Sequence, residues 1–121
     1  MMKIYKTFDE QGLFREISNI EKGCWINLVA PTEQEINTIS EAVKISDEFI
    51  RYPLDQEERA RIDYDDDNDL LLIVEDVPID ETPNDLDDEA FSTIPLGMIV
   101  VKDDYFITVC SRENQIIKDF E

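Results

Sequence analysis

The longest apolar stretch in the sequence, residues 94–101, is eight residues long and includes Pro95 and Gly97. A membrane-crossing helix needs about 20 apolar residues in a row, so this chain is not predicted to hold one. Eight residues suit a buried strand, and shorter runs of the same kind recur along the chain. Residues 4–8 and 13–17 flank Asp9-Glu10-Gln11-Gly12, a hairpin turn sequence. Residues 24–29 follow Lys22-Gly23 and stop at Pro31, and their nearly continuous apolar content suits a strand covered on both faces. Residues 61–64 and 70–74 flank Asp65-Asp66-Asp67-Asn68-Asp69, which predicts a second hairpin with an acidic tip. Residues 94–101 and 105–109 form a third around Lys102-Asp103-Asp104, whose Asp pair tolerates a tight turn.

Three segments carry a helical period. Thr32-Glu33-Gln34-Glu35 fits the capping box, in which the Thr hydroxyl takes a first-turn N–H and Glu35 reaches back. Ile36, Ile39 and Val43 then recur at helical spacing beside Ala42, so this helix lays one apolar stripe on a sheet. A short second helix starts at Ser46 or Asp47, carries Phe49 and Ile50, and stops near Pro53. Residues 112–121 read as a third, with Ile116, Ile117 and Phe120 on one side and no closing glycine. Residues 79–89 hold six acids and Pro83, and read as a surface loop or sheet edge. The 121 residues make one domain with a single core, and no repeat of fixed period divides them.

Charge sets the function classes. Against 30 acidic side chains stand 11 basic ones and no histidine, a formal net charge of −19 and a pI of about 4.1. Thirteen acids lie in residues 63–89, and residues 62–101 contain no base at all. Phosphate contacts need Lys and Arg, so nucleic acid and anionic membrane are disfavoured as partners. Cations or basic protein surfaces are favoured, because the summed field gathers counter-ions. The 42% hydrophobic content separates the chain from a disordered acidic tail. Without histidine the commonest general base and transition-metal ligand are both missing.

Specific motifs point the same way. An EF-hand loop starting at Asp65 would need glycine where Leu70 stands; one starting at Asp63 would need a bidentate Glu where Val74 stands. The acidic tip therefore reads as a solvated turn that holds hydrated magnesium weakly at most. No nucleophile elbow, phosphate-cradling glycine loop or Cys/His zinc spacing occurs, and the chain is not expected to be an enzyme. Carboxylate pairs of the hydrolase kind carry no signal among 30 acids. Cys24 and Cys110 sit far apart in apolar runs and read as buried reduced thiols. Trp25 reads as core, and Arg59 and Arg61 as local partners of Glu57, Glu58 or Asp63.

The ordered set of segments is recognisable. Trp25-Ile26-Asn27-Leu28 before Pro31-Thr32 comes first, followed by the capped helix and by Asp47-Glu48-Phe49-Ile50-Arg51-Tyr52-Pro53-Leu54-Asp55. Glu58-Arg59-Ala60-Arg61-Ile62-Asp63-Tyr64, residues 70–74, Leu96-Gly97-Met98-Ile99-Val100-Val101 and residues 105–109 complete it. In this order, over residues 24–109, they resemble the N-terminal cytoplasmic domain of CorA-type divalent-cation transport proteins. The family's Gly-Met-Asn signature would lie in a membrane region that these residues lack, so the resemblance implies a fragment or a separated soluble domain. It further implies a three-layer α/β/α fold, a mixed and partly antiparallel sheet flanked by helices, assembled as a homo-pentamer at the cytoplasmic face of the cell membrane. Contact with the membrane would come only through the absent C-terminal region.

The resemblance also implies weak sensing of magnesium (or cobalt or nickel) by carboxylates between protomers. The family's sensing aspartate sits in a Glu-Asp pair of the short helix, and here Arg51-Tyr52 stand at that place. Asp47, Glu48 and Asp55 are the nearest acids and are the candidate metal residues. A rival expectation is an acidic adaptor or inhibitor that docks on a basic partner surface. A small hydrolase ranks behind both.

Overall fold

The computed structural model describes residues 1–7, 14–55, 57–67, 69–78, 93–102 and 104–112. Seven strands form one sheet: β1 (Met2–Thr7), β2 (Phe14–Ile17), β3 (Cys24–Val29), β4 (Arg61–Asp65), β5 (Leu70–Pro78), β6 (Thr93–Val101) and β7 (Tyr105–Cys110). Their spatial order is β2-β1-β3-β7-β6-β5-β4, and β3–β7 is the one parallel pairing in that order. The fold is therefore α/β with a mixed, largely antiparallel sheet, as the resemblance implies; the described residues show helices on one face of it, not the three-layer arrangement. Two helices, α1 (Glu33–Val43) and α2 (Asp47–Arg51), and a 3₁₀ turn (Tyr52–Leu54) link β3 to β4. The chain thus leaves the middle of the sheet, crosses to the β4 edge, and returns strand by strand until β7 pairs with β3.

Alternation of side chains gives the sheet two different faces. One face presents Ile4, Cys24, Ile26, Leu28, Leu70, Leu72, Val74, Ile99, Val101, Ile107 and Val109, and these pack with Ile36, Ile39, Val43, Ile45 and Ile50 of the helical segment. The whole stripe expected of α1 is buried there. Burying a side chain such as Ile26 or Ile39, each 0% exposed, contributes roughly 1.5–3 kcal/mol. The helix stays in register because its ends are closed. Glu35 N–H donates to Thr32 Oγ1 (3.1 Å), Thr32 N–H donates to Glu35 Oε1 (2.9 Å), and Lys44 ends the helix in the left-handed region at φ 61°.

The opposite face carries a smaller buried cluster of Val29, Val77, Ile94, Leu96 and Cys110, with Trp25 partly buried against it. Trp25 is thus at the edge of the core rather than inside it. Its indole N–H donates to Thr108 Oγ1 (2.9 Å), and that hydroxyl donates to Asn27 Oδ1 (2.9 Å). Asn27 and Thr108, 1% and 3% exposed, are thereby satisfied inside a dry sheet. On the same face a cross-strand row runs Tyr64, Leu71, Val100, Phe106, Trp25, Tyr5, in which Tyr64 and Phe106 are exposed. Cys24 and Cys110 are free thiols, both buried, and burial pushes the Cys24 thiol up.

Both described helices pack on the first face. The expected turn at residues 9–12, the acidic stretch 79–89, Asp103 of the Asp103-Asp104 turn, and all but the first residue of the helix at 112–121 lie outside the described residues. No helix among the described residues is long and apolar enough to cross a membrane.

Candidate functional site

The acids proposed from the sequence as metal residues lie along α2 and the 3₁₀ turn. Ser46 caps α2 by accepting from Glu48 N–H (3.3 Å), which sets Asp47 and Glu48 in its first turn. Pro53 then tightens the chain into the 3₁₀ turn, and Asp55 follows it in extended backbone. Each of the three carboxylates has a partner within the chain. Asp47 Oδ2 accepts from Arg51 Nε (2.9 Å), Glu48 Oε2 accepts from Tyr52 Oη (3.4 Å), and Asp55 Oδ1 accepts from Glu57 N–H (3.0 Å).

Arg51 organises this corner, and sequence reasoning treated it only as a departure from the family pattern. One side of its guanidinium holds Asp47, one helical turn earlier. The other holds Glu33 of α1 through two bonds of 3.0 and 2.5 Å. The two-bond fork matches a carboxylate, so one cation ties the start of α1 to α2. The bonds from Arg51, and then its charge, hold the Glu33 carboxyl below the usual carboxylate range. The same bonds push the Arg51 guanidinium up. The i,i+4 spacing of Asp47 and Arg51 was a readable signal for half of this arrangement. The other half joins residues 18 apart on different helices, and no local pattern shows it.

The β4–β5 hairpin forms a second acidic region. Asp63, Tyr64, Asp65, Asp66 and Asp67 line an open depression of about 540 Å³ beside Phe49. Local bonds occupy much of its polar surface. Arg61 Nε donates to Asp63 (2.5 Å), Asp67 N–H donates to Asp65 Oδ1 (3.0 Å), and Tyr64 Oη donates to Asp69 (2.8 Å). The bond to Asp69 raises the Tyr64 phenol above its ordinary value. Arg61 also pairs with Glu58, so the local pairing expected of that arginine is present. Among the described residues no group of three or more Asp, Glu or Cys side chains converges as a metal cage. The geometry offers single carboxylates and pairs, which suit a hydrated cation keeping several of its waters.

Comparison with known proteins agrees with the fold. Residues 21–121 match the family model described as CorA-like Mg2+ transporter protein. The complete structure of the CorA magnesium transporter from Methanocaldococcus jannaschii superimposes with a TM-score of 0.74 at 18% identity, covering 99% of this chain and 35% of that one. The soluble domain of CorA from the same organism gives a TM-score of 0.75 at 21% identity, with coverage of 99% and 44%. The chain therefore spans less than half the length of either structure. A search of curated protein sequences gives no significant match. With the family model covering five-sixths of the chain and the fold matching the solved soluble domain, this chain belongs to the family of CorA-like Mg2+ transporter proteins.

Proposed function

We propose that this chain is the N-terminal cytoplasmic regulatory domain of a CorA-like transport protein for magnesium, or for cobalt or nickel. The match of residues 21–121 to the family model carries the reading. In this reading the domain assembles as a homo-pentamer beneath a pore that other parts of the protein build. It responds to the ion through acids facing the protomer boundary. Packed carboxylate surfaces repel each other, and a bridging divalent cation relieves that repulsion. Loss of the ion lets the subunits separate, which makes a two-state element biased by its ligand.

Asp47, Glu48 and Asp55 supply oxygen donors of the hard kind that magnesium takes. Asp47 already neutralises Arg51, which leaves Glu48 and Asp55 as the acids to reach a hydrated ion. Two carboxylates with water filling the remaining positions make a weak site in one isolated copy. The test is the melting temperature of the 121-residue chain in millimolar magnesium against sodium at matched ionic strength. A larger rise in magnesium is expected, from binding to the folded state. It should shrink in Asp55→Asn and in Glu48→Gln. Equal rises in the two salts would remove specific ion sensing from this domain.

A further inference from the structure

Several of the described bases of this chain sit against carboxylates. Lys6 lies 2.9 Å from Glu21, Arg51 2.9 Å from Asp47, and Arg61 2.5 Å from Asp63. With 30 acids to 11 bases, such pairing is what chance and charge both favour. One cavity gathers lysines instead. A hollow of about 270 Å³ at the end of the sheet is lined by Lys22, Lys44 and Lys102 together with Asp67, Asp104 and Tyr105.

Three different loops deliver these lysines. Lys22 precedes Gly23 at the start of β3, Lys44 closes α1 at φ 61°, and Lys102 turns β6 into β7 at φ 52°. Left-handed backbone, uncommon at a residue with a side chain, occurs here at two of the three. Lys22 lies 4.0 Å from Asp104, a loose pairing. Lys44 and Lys102 make no ion pair among the described residues. Ala42 and Val43 of α1, with the buried Val101, add an apolar wall beside them.

We infer that this cavity binds a phosphate group that still carries a proton. The ammonium groups of Lys44 and Lys102 supply donors to the phosphate oxygens, with Lys22 as a third when it leaves Asp104. The two aspartates decide which anion is taken. An ionised carboxylate can only accept hydrogen bonds, so a fully deprotonated anion beside Asp67 meets repulsion. A phosphate with one P–O–H donates to that carboxylate and removes the conflict. Inorganic phosphate keeps at least one such proton near neutral pH, whereas a monoester, with a second pKa of about 6, keeps it only in a share that grows as pH falls toward that value. Sulfate keeps none. Sites built around a hydrogen bond reject ligands that lack the partner by large factors.

None of these residues belongs to the carboxylates invoked for ion sensing, so failure here leaves that reading untouched. The test follows the backbone amides of Lys44 and Lys102 by nuclear magnetic resonance in the 121-residue chain. Inorganic phosphate, glycerol phosphate and sulfate are titrated at pH 6.5 and constant ionic strength. Saturable shifts at both amides with phosphate, and none with sulfate, are expected. Tighter binding of glycerol phosphate assigns a phosphomonoester; tighter binding of inorganic phosphate assigns the free ion. Lys44→Gln and Lys102→Gln should each weaken binding roughly tenfold while leaving the melting temperature unchanged. Asp67→Asn should admit sulfate. Equal responses to phosphate and sulfate in the unaltered chain, or unchanged binding in both lysine variants, would overturn the assignment.

Discussion

At the scale of single residues, Arg51 shows what a sequence conceals. The acids around it are visible as letters, and the family resemblance makes Asp47, Glu48 and Asp55 the candidate metal residues. Whether an acid is available depends on a base 18 residues from Glu33 on another helix. The consequence is a pH dependence. Glu33 is held low by Arg51, first by hydrogen bonds and then by charge. A carboxyl whose folded pKa is depressed adds stability that is fully present above the unfolded value of about 4.3. That increment is lost as pH falls from there through the folded value. Replacing Glu33→Gln should therefore lower the melting temperature at pH 6 to 7 and make little difference at the acid end of the transition. Solvent screens a pair whose Glu33 side is exposed, so the gap should be small and should shrink further in salt. A gap that stays constant across the pH range would show that the ionised pair adds nothing.

Individual elements were readable where the signal was local. Thr32 and Glu35 announce the start of α1, and Ile36, Ile39 and Val43 announce its buried face; both hold in the structure. The hairpin β4–β5 follows from an acidic turn between apolar runs. The order of strands was not readable, because β3 pairs in parallel with β7 across more than 80 residues, with no local pattern to say so. Gly97 lies inside a strand, where a glycine often marks a close approach, a sign that sequence reasoning did not use. Only the fold names the partner. Pro53 of the 3₁₀ turn rests on Gly97 of β6, and a Cβ there would meet Pro53 Cγ and stand 2.8 Å from Pro53 Cβ. Gly97→Ala should therefore destabilise by about 1–3 kcal/mol in urea unfolding, the usual cost of overpacking. Pro53→Ala removes Cγ and should relieve part of that cost. In the double variant the loss should be smaller than the sum of the two singles. Simple additivity would mean that Gly97 matters for some reason other than room for Pro53.

At the scale of the whole molecule, the charge of −19 must be carried by a compact object. A chain of about this length has a radius of gyration near 13 Å when folded. The Debye length is about 30 Å at 0.01 M ionic strength and about 8 Å at 0.15 M. At the lower ionic strength every acid on the domain therefore feels nearly every other. At the higher one it feels only its neighbours. Acids outnumber bases by 30 to 11, so the local pairs of Lys6, Arg51 and Arg61 leave most of the negative charge without a partner base. Self-repulsion favours the expanded, unfolded chain, where the charges stand further apart. The melting temperature should therefore rise by several degrees as sodium chloride goes from 0.01 to 0.15 M, and change much less from there to 0.5 M. The salt arm also sets the baseline for the ion-sensing reading, since magnesium screens as well as binds. Only the part of its effect above the sodium curve at equal ionic strength belongs to a site. A melting temperature that ignores salt over the first interval would mean that the acids are spaced widely enough not to oppose folding. The repulsion invoked for subunit separation would then have to arise wholly between protomers.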